Sequence, residues 1–373
     1  MNIEIVGIGA PNKGAELMLT AAMEQINARY SDVKFVLEPY TDYKYRSKHG
    51  CYQKSWFTFK GIQVGNFLGL LPKGIRNRFG IVLDSEIDVI LDASGFAYGD
   101  QWGAPKARNR LAKYIAKWKA SGKKVIMLPQ ALGPFENTAL KQEMSTIFQH
   151  CDIAFARDNM SFEFATSVGT GNVKQSPDFT NLCKGILPRD LSDTPLDICV
   201  IPNAKMIEMT TDEVGSTYVS SLVEGIEVAL AEGREPFLLV HEGKGDLNIA
   251  QEINEQLTQA LPIYQYDDPK EIKGVIGHSK LVISSRFHGL VSSLSQGVPC
   301  VATGWSHKYQ MLMDDYECGK YLAGEGESVS SLVAHLLEQS EYDNTQEKIV
   351  KNAELQKQLT KKMWDQVFDI IGK

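Results

Sequence analysis

The sequence has no Cys-x-x-Cys pair. Its six cysteines (Cys51, Cys151, Cys183, Cys199, Cys300 and Cys318) are scattered, which excludes a disulfide frame or a zinc site built on close pairs. They read as reduced core residues. Positive charge is also short: 39 Lys and Arg against 46 Asp and Glu give a formal net charge of −7. That balance argues against a nucleic-acid partner held by overall electrostatics. No apolar run approaches bilayer-spanning length. No basic leader precedes the opening strand Asn2-Ile3-Glu4-Ile5-Val6, so no signal peptide is read and a cytoplasmic protein is expected. No internal repeat or low-complexity tract is visible.

What the chain does have is alternation. Its 373 residues, 43% hydrophobic and 23% charged, suffice for two domains with separate cores. Apolar runs at Asn2–Val6, Lys34–Leu37, Val89–Leu91, Val125–Leu128 and Ile153–Ala156 read as strands, with a shorter one near Val173. Helical spacing falls between them. After a Pro-containing linker at Gly185–Pro195 the series restarts, with strands at Asp197–Ile201, Pro236–Val240, Ile263–Tyr266, Lys280–Ser284 and Cys300–Thr303. Two such series predict an α/β protein of two Rossmann-like, doubly wound domains facing across a cleft. The boundaries read as 1–190, 191–345 and a C-terminal helix at 346–373. That helix carries Leu355, Leu359, Met363, Val367, Ile370 and Ile371 and is expected to pack back on the domain junction. Residues 40–85 break the rhythm as an insertion, mixing Trp56, Phe57, Phe67, Leu70 and Leu71 with Lys60, Lys73, Arg76 and Arg78. They read as local helices with solvated lysines over the sheet edge, or as an acceptor-binding or membrane-facing surface.

The chemistry concentrates after Leu281-Val282-Ile283. There Ser284-Ser285-Arg286-Phe287-His288-Gly289 passes from strand into the helical spacing of Leu290, Val291 and Leu294. A strand that turns into a helix leaves backbone N–H groups pointing above the strand end, which suits an anion. Arg supplies a planar fork for phosphate or carboxylate, and His moves a proton near neutral pH. Ligands of open α/β sheets bind at strand carboxyl ends. That rule also selects Asn12, Asp92, Gln130, Arg157, Asp178, His241 and Lys308, whereas His49, His150, His278 and His335 read as solvated or structural. Plainer readings stand beside these: a core-facing His288, an interdomain salt bridge for Arg286, and a polar loop at His241–Asp246 with Asp246 capping a helix. Gly7-x-Gly9 lacks the third glycine of a dinucleotide fingerprint.

Taken in order, these residues resemble the polysaccharide pyruvyl transferase family. Ser285-Arg286-Phe287-His288, Gly297-Val298-Pro299 and Lys308 are similar to its C-terminal motif, and Asn12-Lys13-Gly14-Ala15-Glu16 to its N-terminal one, with Ala15 where aspartate is usual. Ala93-Ser94-Gly95 stands where a glycine triplet is common. Pro129-Gln130-x-x-Gly133-Pro134, Arg157-Asp158-x-x-Ser161, Pro177-Asp178 and His241 to Asp246 follow in the family's order. The resemblance implies a GT-B-like fold and transfer of the pyruvyl group of phosphoenolpyruvate to a sugar, as a cyclic ketal, in surface polysaccharide synthesis. No metal and no cofactor beyond that donor is called for. Arg157, Arg286, His288 and Lys308 would bind the donor. His288, Arg286, His241 and Asp178 would be catalytic, and Asn12, Gly14, Glu16, Asp92, Tyr98, Asp100 and Gln130 would meet the acceptor. That acceptor is expected to be a hexose such as galactose, or a lipid-linked oligosaccharide reached by peripheral contact of residues 40–85 with the inner membrane face. The competing readings are a GT-B glycosyltransferase using a nucleotide sugar and a non-catalytic sugar- or phosphate-binding module.

Overall fold

A computed structural model describes residues 1–9, 11–59, 62–169, 171–208, 210–304, 306–324 and 327–372. Lys60, named above, lies outside the described residues. The chain divides into two compact units. The first holds Met1–Ala10, Met18–Phe179 and Thr360–Lys373; the second holds Pro11–Leu17 and Thr180–Leu359.

In the first unit the strands are β1 (Asn2–Val6), β2 (Lys34–Leu37), β3 (Tyr52–Ser55), the short antiparallel pair β4 (Thr58–Phe59) and β5 (Ile62–Gln63), β6 (Ile81–Leu83), β7 (Val89–Asp92), β8 (Lys124–Gln130), β9 (Ile153–Ala156) and β10 (Val173–Gln175). All but β4 and β5 form one parallel sheet in the order β10-β9-β8-β7-β1-β2-β3-β6. In the second unit β11 (Ile198–Ile201), β12 (Pro236–Val240), β13 (Ile263–Gln265), β14 (Leu281–Ser284) and β15 (Cys300–Ala302) form a parallel sheet in the order β13-β12-β11-β14-β15. Central strands such as β7, β11, β12 and β14 are buried on both faces, which explains why their runs are mostly apolar rather than alternating. The strand order reverses between β1 and β7 in the first sheet and between β11 and β14 in the second. Such reversals leave a crevice above the strand carboxyl ends.

The segment read as an insertion is part of the first sheet: β3 and β6 extend its edge in parallel. Nor are its basic residues all solvated. Lys54 is buried on Glu4 at 2.8 Å, and Arg76 is buried with its guanidinium on Glu86. Those carboxylates are what let two cations sit inside an edge that carries few apolar residues.

The C-terminal helix runs from Gln339 to Ile371. Its buried stripe is Ile349, Ala353, Gln356, Thr360, Met363 and Val367, so the helical period places Leu355 and Leu359 off that stripe and in solvent. In the first unit Trp364 packs edge-on against Phe179, with centroids 6.3 Å apart. No described helix is long and apolar enough to cross a membrane. The six cysteines are free, and all but Cys51 are buried.

Candidate functional site

In the second unit β14 ends at Ser284, Arg286 is the N-cap of the helix Phe287–Leu294, and the turn sits where the strand order reverses. The turn is held from below. Asn203 Nδ2 donates to the Ser285 carbonyl at 2.7 Å, Tyr218 donates to Ser285 Oγ at 2.6 Å, and the Ser285 hydroxyl pairs with Thr303 at 2.5 Å. A fully bonded buried network of this kind fixes the backbone from which Arg286 and His288 project.

Arg286 is an intra-unit ion pair, not a bridge between domains. Its Nε donates to Asp246 Oδ2 at 2.9 Å, its Nη2 to Asp246 Oδ1, and its Nη1 to Glu242. A guanidinium carries five N–H groups; three are engaged here, which leaves two. Asp246 is fully buried and also accepts from Ala204 N at 3.0 Å and Glu242 N at 3.0 Å, so it orients Arg286 and ties down the start of the helix Gly243–Gln256 together.

His241, just after β12, is buried, and its Nδ1 has no hydrogen-bond partner among the described residues. Burial, then the charges of Arg286, His288 and Lys13, push its pKa well below the ordinary histidine value. It is therefore a neutral imidazole near pH 7 and carries no acidic proton to give. Lys308, also buried, holds its ammonium 5.3 Å from the Phe287 ring centre.

Asn12, Gly14 and Glu16, expected with the acceptor residues of the N-terminal domain, belong to this unit. Asn12 Oδ1 caps Ala15 N at 2.9 Å, opening the helix Lys13–Arg29, and Lys13 bonds Glu16 at 3.0 Å. The Gly14 backbone lies so close to the His288 ring that a Cβ there would overlap Nδ1 and Cγ. The second unit thus brings together Arg286, His288, His241 and Lys308 with Asn12, Gly14 and Glu16.

The remaining predicted residues are in the first unit. Asp92, the last residue of β7, is fully buried; Ser94 and Tyr98 donate their hydroxyls to it, and burial raises its pKa despite the Arg110 charge. Ser94 in turn accepts from Arg110 Nη1 at 2.5 Å. Gly7, at φ +83°, passes so near Ser94 that no side chain fits there. Gln130 ends β8 fully buried, with neither amide atom hydrogen-bonded among the described residues. Asp100 spends both oxygens on the backbone, accepting from Glu136 N at 2.6 Å and Asn137 N at 3.1 Å. Arg157 pairs with Asp178 at 3.2 Å, both buried. Among the described residues no group of His, Cys, Asp and Glu could hold a metal ion.

Two residues escaped sequence reasoning: Glu242, which shares Arg286, and Arg110, which links Ser94 to the sheet end. Arg286 and Glu242 lie 44 positions apart, so no local pattern joins them.

Two parallel sheets with polar turns at their strand-order reversals define an α/β protein of the GT-B type. Solved structures agree on the fold: HepE from Anabaena in complex with UDP and glucose (TM-score 0.58, 12% identity, covering 100% of this chain and 99% of that one) and the UDP-GlcNAc 2-epimerase of Neisseria meningitidis bound to UDP-GlcNAc (0.57, 11%, 99% and 100%). A putative UDP-N-acetylglucosamine 2-epimerase from Listeria monocytogenes is also similar (0.55, 13%, 93% and 90%). At these identities the likeness concerns the fold alone. The family model described as polysaccharide pyruvyl transferase matches residues 12–307, and the chain belongs to that family. Membership implies a phosphoenolpyruvate-dependent transferase with a polysaccharide acceptor.

Proposed function

We propose that this enzyme moves the pyruvyl group of phosphoenolpyruvate onto two hydroxyls of a hexose, such as galactose, during the building of a bacterial surface polysaccharide. The observation that carries the reading is the pairing of Arg286 and His288 at one helix start, with a neutral His241 in the same unit. The donor's carboxylate and phosphate meet the N–H groups of the helix Phe287–Leu294, the two remaining N–H groups of Arg286, and Lys308. His288 gives a proton to carbon 3, turning the methylene into a methyl and leaving carbon 2 electron-poor. The first sugar hydroxyl adds to carbon 2 while its proton passes to His241, whose basicity rises once the anionic donor offsets the charges of Arg286, His288 and Lys13. The second hydroxyl then attacks carbon 2, its proton leaves with phosphate, and the ketal closes. Asp92, Tyr98 and Gln130 are assigned to the acceptor. Asp178 and Arg157 hold each other, and Asp100 holds the backbone before the helix Thr138–His150.

The test is incubation with phosphoenolpyruvate and a panel of hexosides and glycosyl lipids, read by mass and by phosphate release. Expected are a ketal product, one phosphate per product, and no turnover of UDP-sugars. Full turnover by an Arg286→Ala/His288→Ala double variant would remove the assignment.

The lipid-linked acceptor rests on a separate surface. From Tyr43 to Leu83 the chain carries eight Lys and Arg and not one Asp or Glu, in a protein of net charge −7. On that stretch Phe67 (66% exposed), Leu70 (84%) and Phe79 (71%) stand in solvent beside the exposed Lys73 and Arg78. Apolar side chains flanked by cations suit an anionic membrane face.

A further inference from the structure

The first unit encloses a second polar pocket, of about 440 Å³, on the face of β1 and β3 beside the helix Lys113–Ala120. None of the acceptor residues assigned above lines it. Its size falls within the roughly 300–1,000 Å³ of small-molecule sites. One wall is aromatic: Trp56 meets Tyr114 edge-on with centroids 5.0 Å apart, and Tyr114 lies 5.6 Å from Trp118. Trp56 and Tyr114 are only half-buried, so each leaves part of its ring open, although Tyr114 also packs against the core.

The floor is neutral. Glu4 and Lys54 form a buried pair at 2.8 Å, and the Lys54 ammonium sits 4.6 Å from the Trp56 ring centre. A matched charge beneath the aromatic wall offers little to a phosphate. Around the opening stand Glu38, Asn109 and Arg110, with the solvent-exposed Lys113 beside them.

Local backbone brings Asn109 and Arg110 there. Residues Arg108–Ala112 wind as a π-helix directly ahead of Lys113. Such single wide turns re-aim side chains and recur at functional sites. Here the turn carries Asn109 and Arg110 to the pocket, and Arg110 also reaches the Ser94 hydroxyl that bonds Asp92.

A pyranose needs an apolar surface for its C–H face, together with carboxylate, amide and guanidinium groups for its hydroxyls. This pocket supplies all of them. We infer that it is a subsite for an uncharged hexopyranose residue of the acceptor glycan. That the ligand is the acceptor rests on the pyruvyl-transfer reading; that a pyranose binds does not.

The experiment is saturation-transfer NMR on the intact protein with the methyl glycosides of galactose, glucose and mannose, without phosphoenolpyruvate. At least one glycoside is expected to bind. Loss of the acceptor's charge in Glu38→Gln, or of the amide in Asn109→Ala, should weaken it about tenfold, and Trp56→Ala should weaken it more than Trp56→Phe, which keeps an apolar ring. Unchanged melting temperature and phosphoenolpyruvate binding in these variants set folding losses aside. No bound glycoside, or equal binding by wild type, Glu38→Gln and Asn109→Ala, overturns the subsite even if ketal product forms. Binding that is lost in the variants upholds it even if wild type releases no phosphate, in which case the transferase reading falls alone.

Discussion

Gly14 presents bare backbone to the imidazole of His288, closer than any side chain would allow. The two residues are far apart in sequence, yet the glycine sets where the ring rests. Gly14→Ala should make the helix Lys13–Arg29 better by propensity, by up to about 1 kcal/mol. It should also drive the His288 ring from its position. A displacement near 1 Å at a reacting group can cost about a hundredfold in rate. The expected result is a variant that melts no lower than wild type but makes ketal product ten- to a hundredfold more slowly, with His288→Ala adding little further loss.

Asp246 and Arg286 form the next test. Their side chains are 0% and 11% exposed, so removing Asp246 leaves a guanidinium in low dielectric with Glu242 as its one remaining carboxylate among the described residues. Asp246→Ala should lower stability by about 3–5 kcal/mol, the usual cost of breaking a buried pair. The double variant Asp246→Ala/Arg286→Met should recover part of that loss, because the buried guanidinium is gone and only the more exposed Glu242 loses a partner. Urea melts of the four proteins in the cycle measure this coupling. Additive losses would mean that the pair does not interact.

Much of this was legible in the sequence, for reasons that also explain the gaps. Strands buried on both faces are written as plain apolar runs, so β7, β8, β11 and β12 could be read directly. β3 could not, because its Tyr-Gln-Lys-Ser has no apolar pattern; Lys54 is buried there only because Glu4, on another strand, neutralises it. Arg286 and His288 stood out because strand and helix periods meet at them. The carboxylates on Arg286 and the glycine beneath His288 did not, since both contacts join distant parts of the chain. Asn12, Gly14 and Glu16 were grouped by chain order with the N-terminal domain, although the helix they open begins in the second unit.

His241 gives a prediction about acid. Its folded-state pKa lies well below that of the unfolded chain, near 6.5, so below that pH the unfolded state binds a proton that the folded state refuses. Stability should be complete above about pH 7 and should fall as the pH drops, by at most about 1.4 kcal/mol per unit from this group. The loss continues until the folded-state pKa is reached. Comparing urea melts of wild type and His241→Asn at pH 7 and pH 5 isolates the effect. The variant should lose less stability on acidification, and an equal loss in both would contradict a buried neutral imidazole.

The exposed face of residues 64–79 is tested with vesicles. Arg76 must be left alone there, because it is buried on Glu86 and its removal would damage the fold rather than the surface. Lys73 and Arg78 are exposed, and each basic group near an anionic surface contributes about 1 kcal/mol. Lys73→Ala/Arg78→Ala should therefore weaken co-sedimentation with phosphatidylglycerol vesicles by roughly thirtyfold. Phosphatidylcholine vesicles should bind wild type and this variant alike, since only the charge differs. Phe67→Ser/Leu70→Ser/Phe79→Ser should reduce binding to both lipids, because burying those side chains in the interface is an apolar term. If the enzyme acts on a lipid-linked acceptor through this face, the serine variant also loses turnover on glycosyl lipids in vesicles while keeping it on soluble hexosides. Equal turnover of the two substrates by that variant would separate this surface from the acceptor altogether.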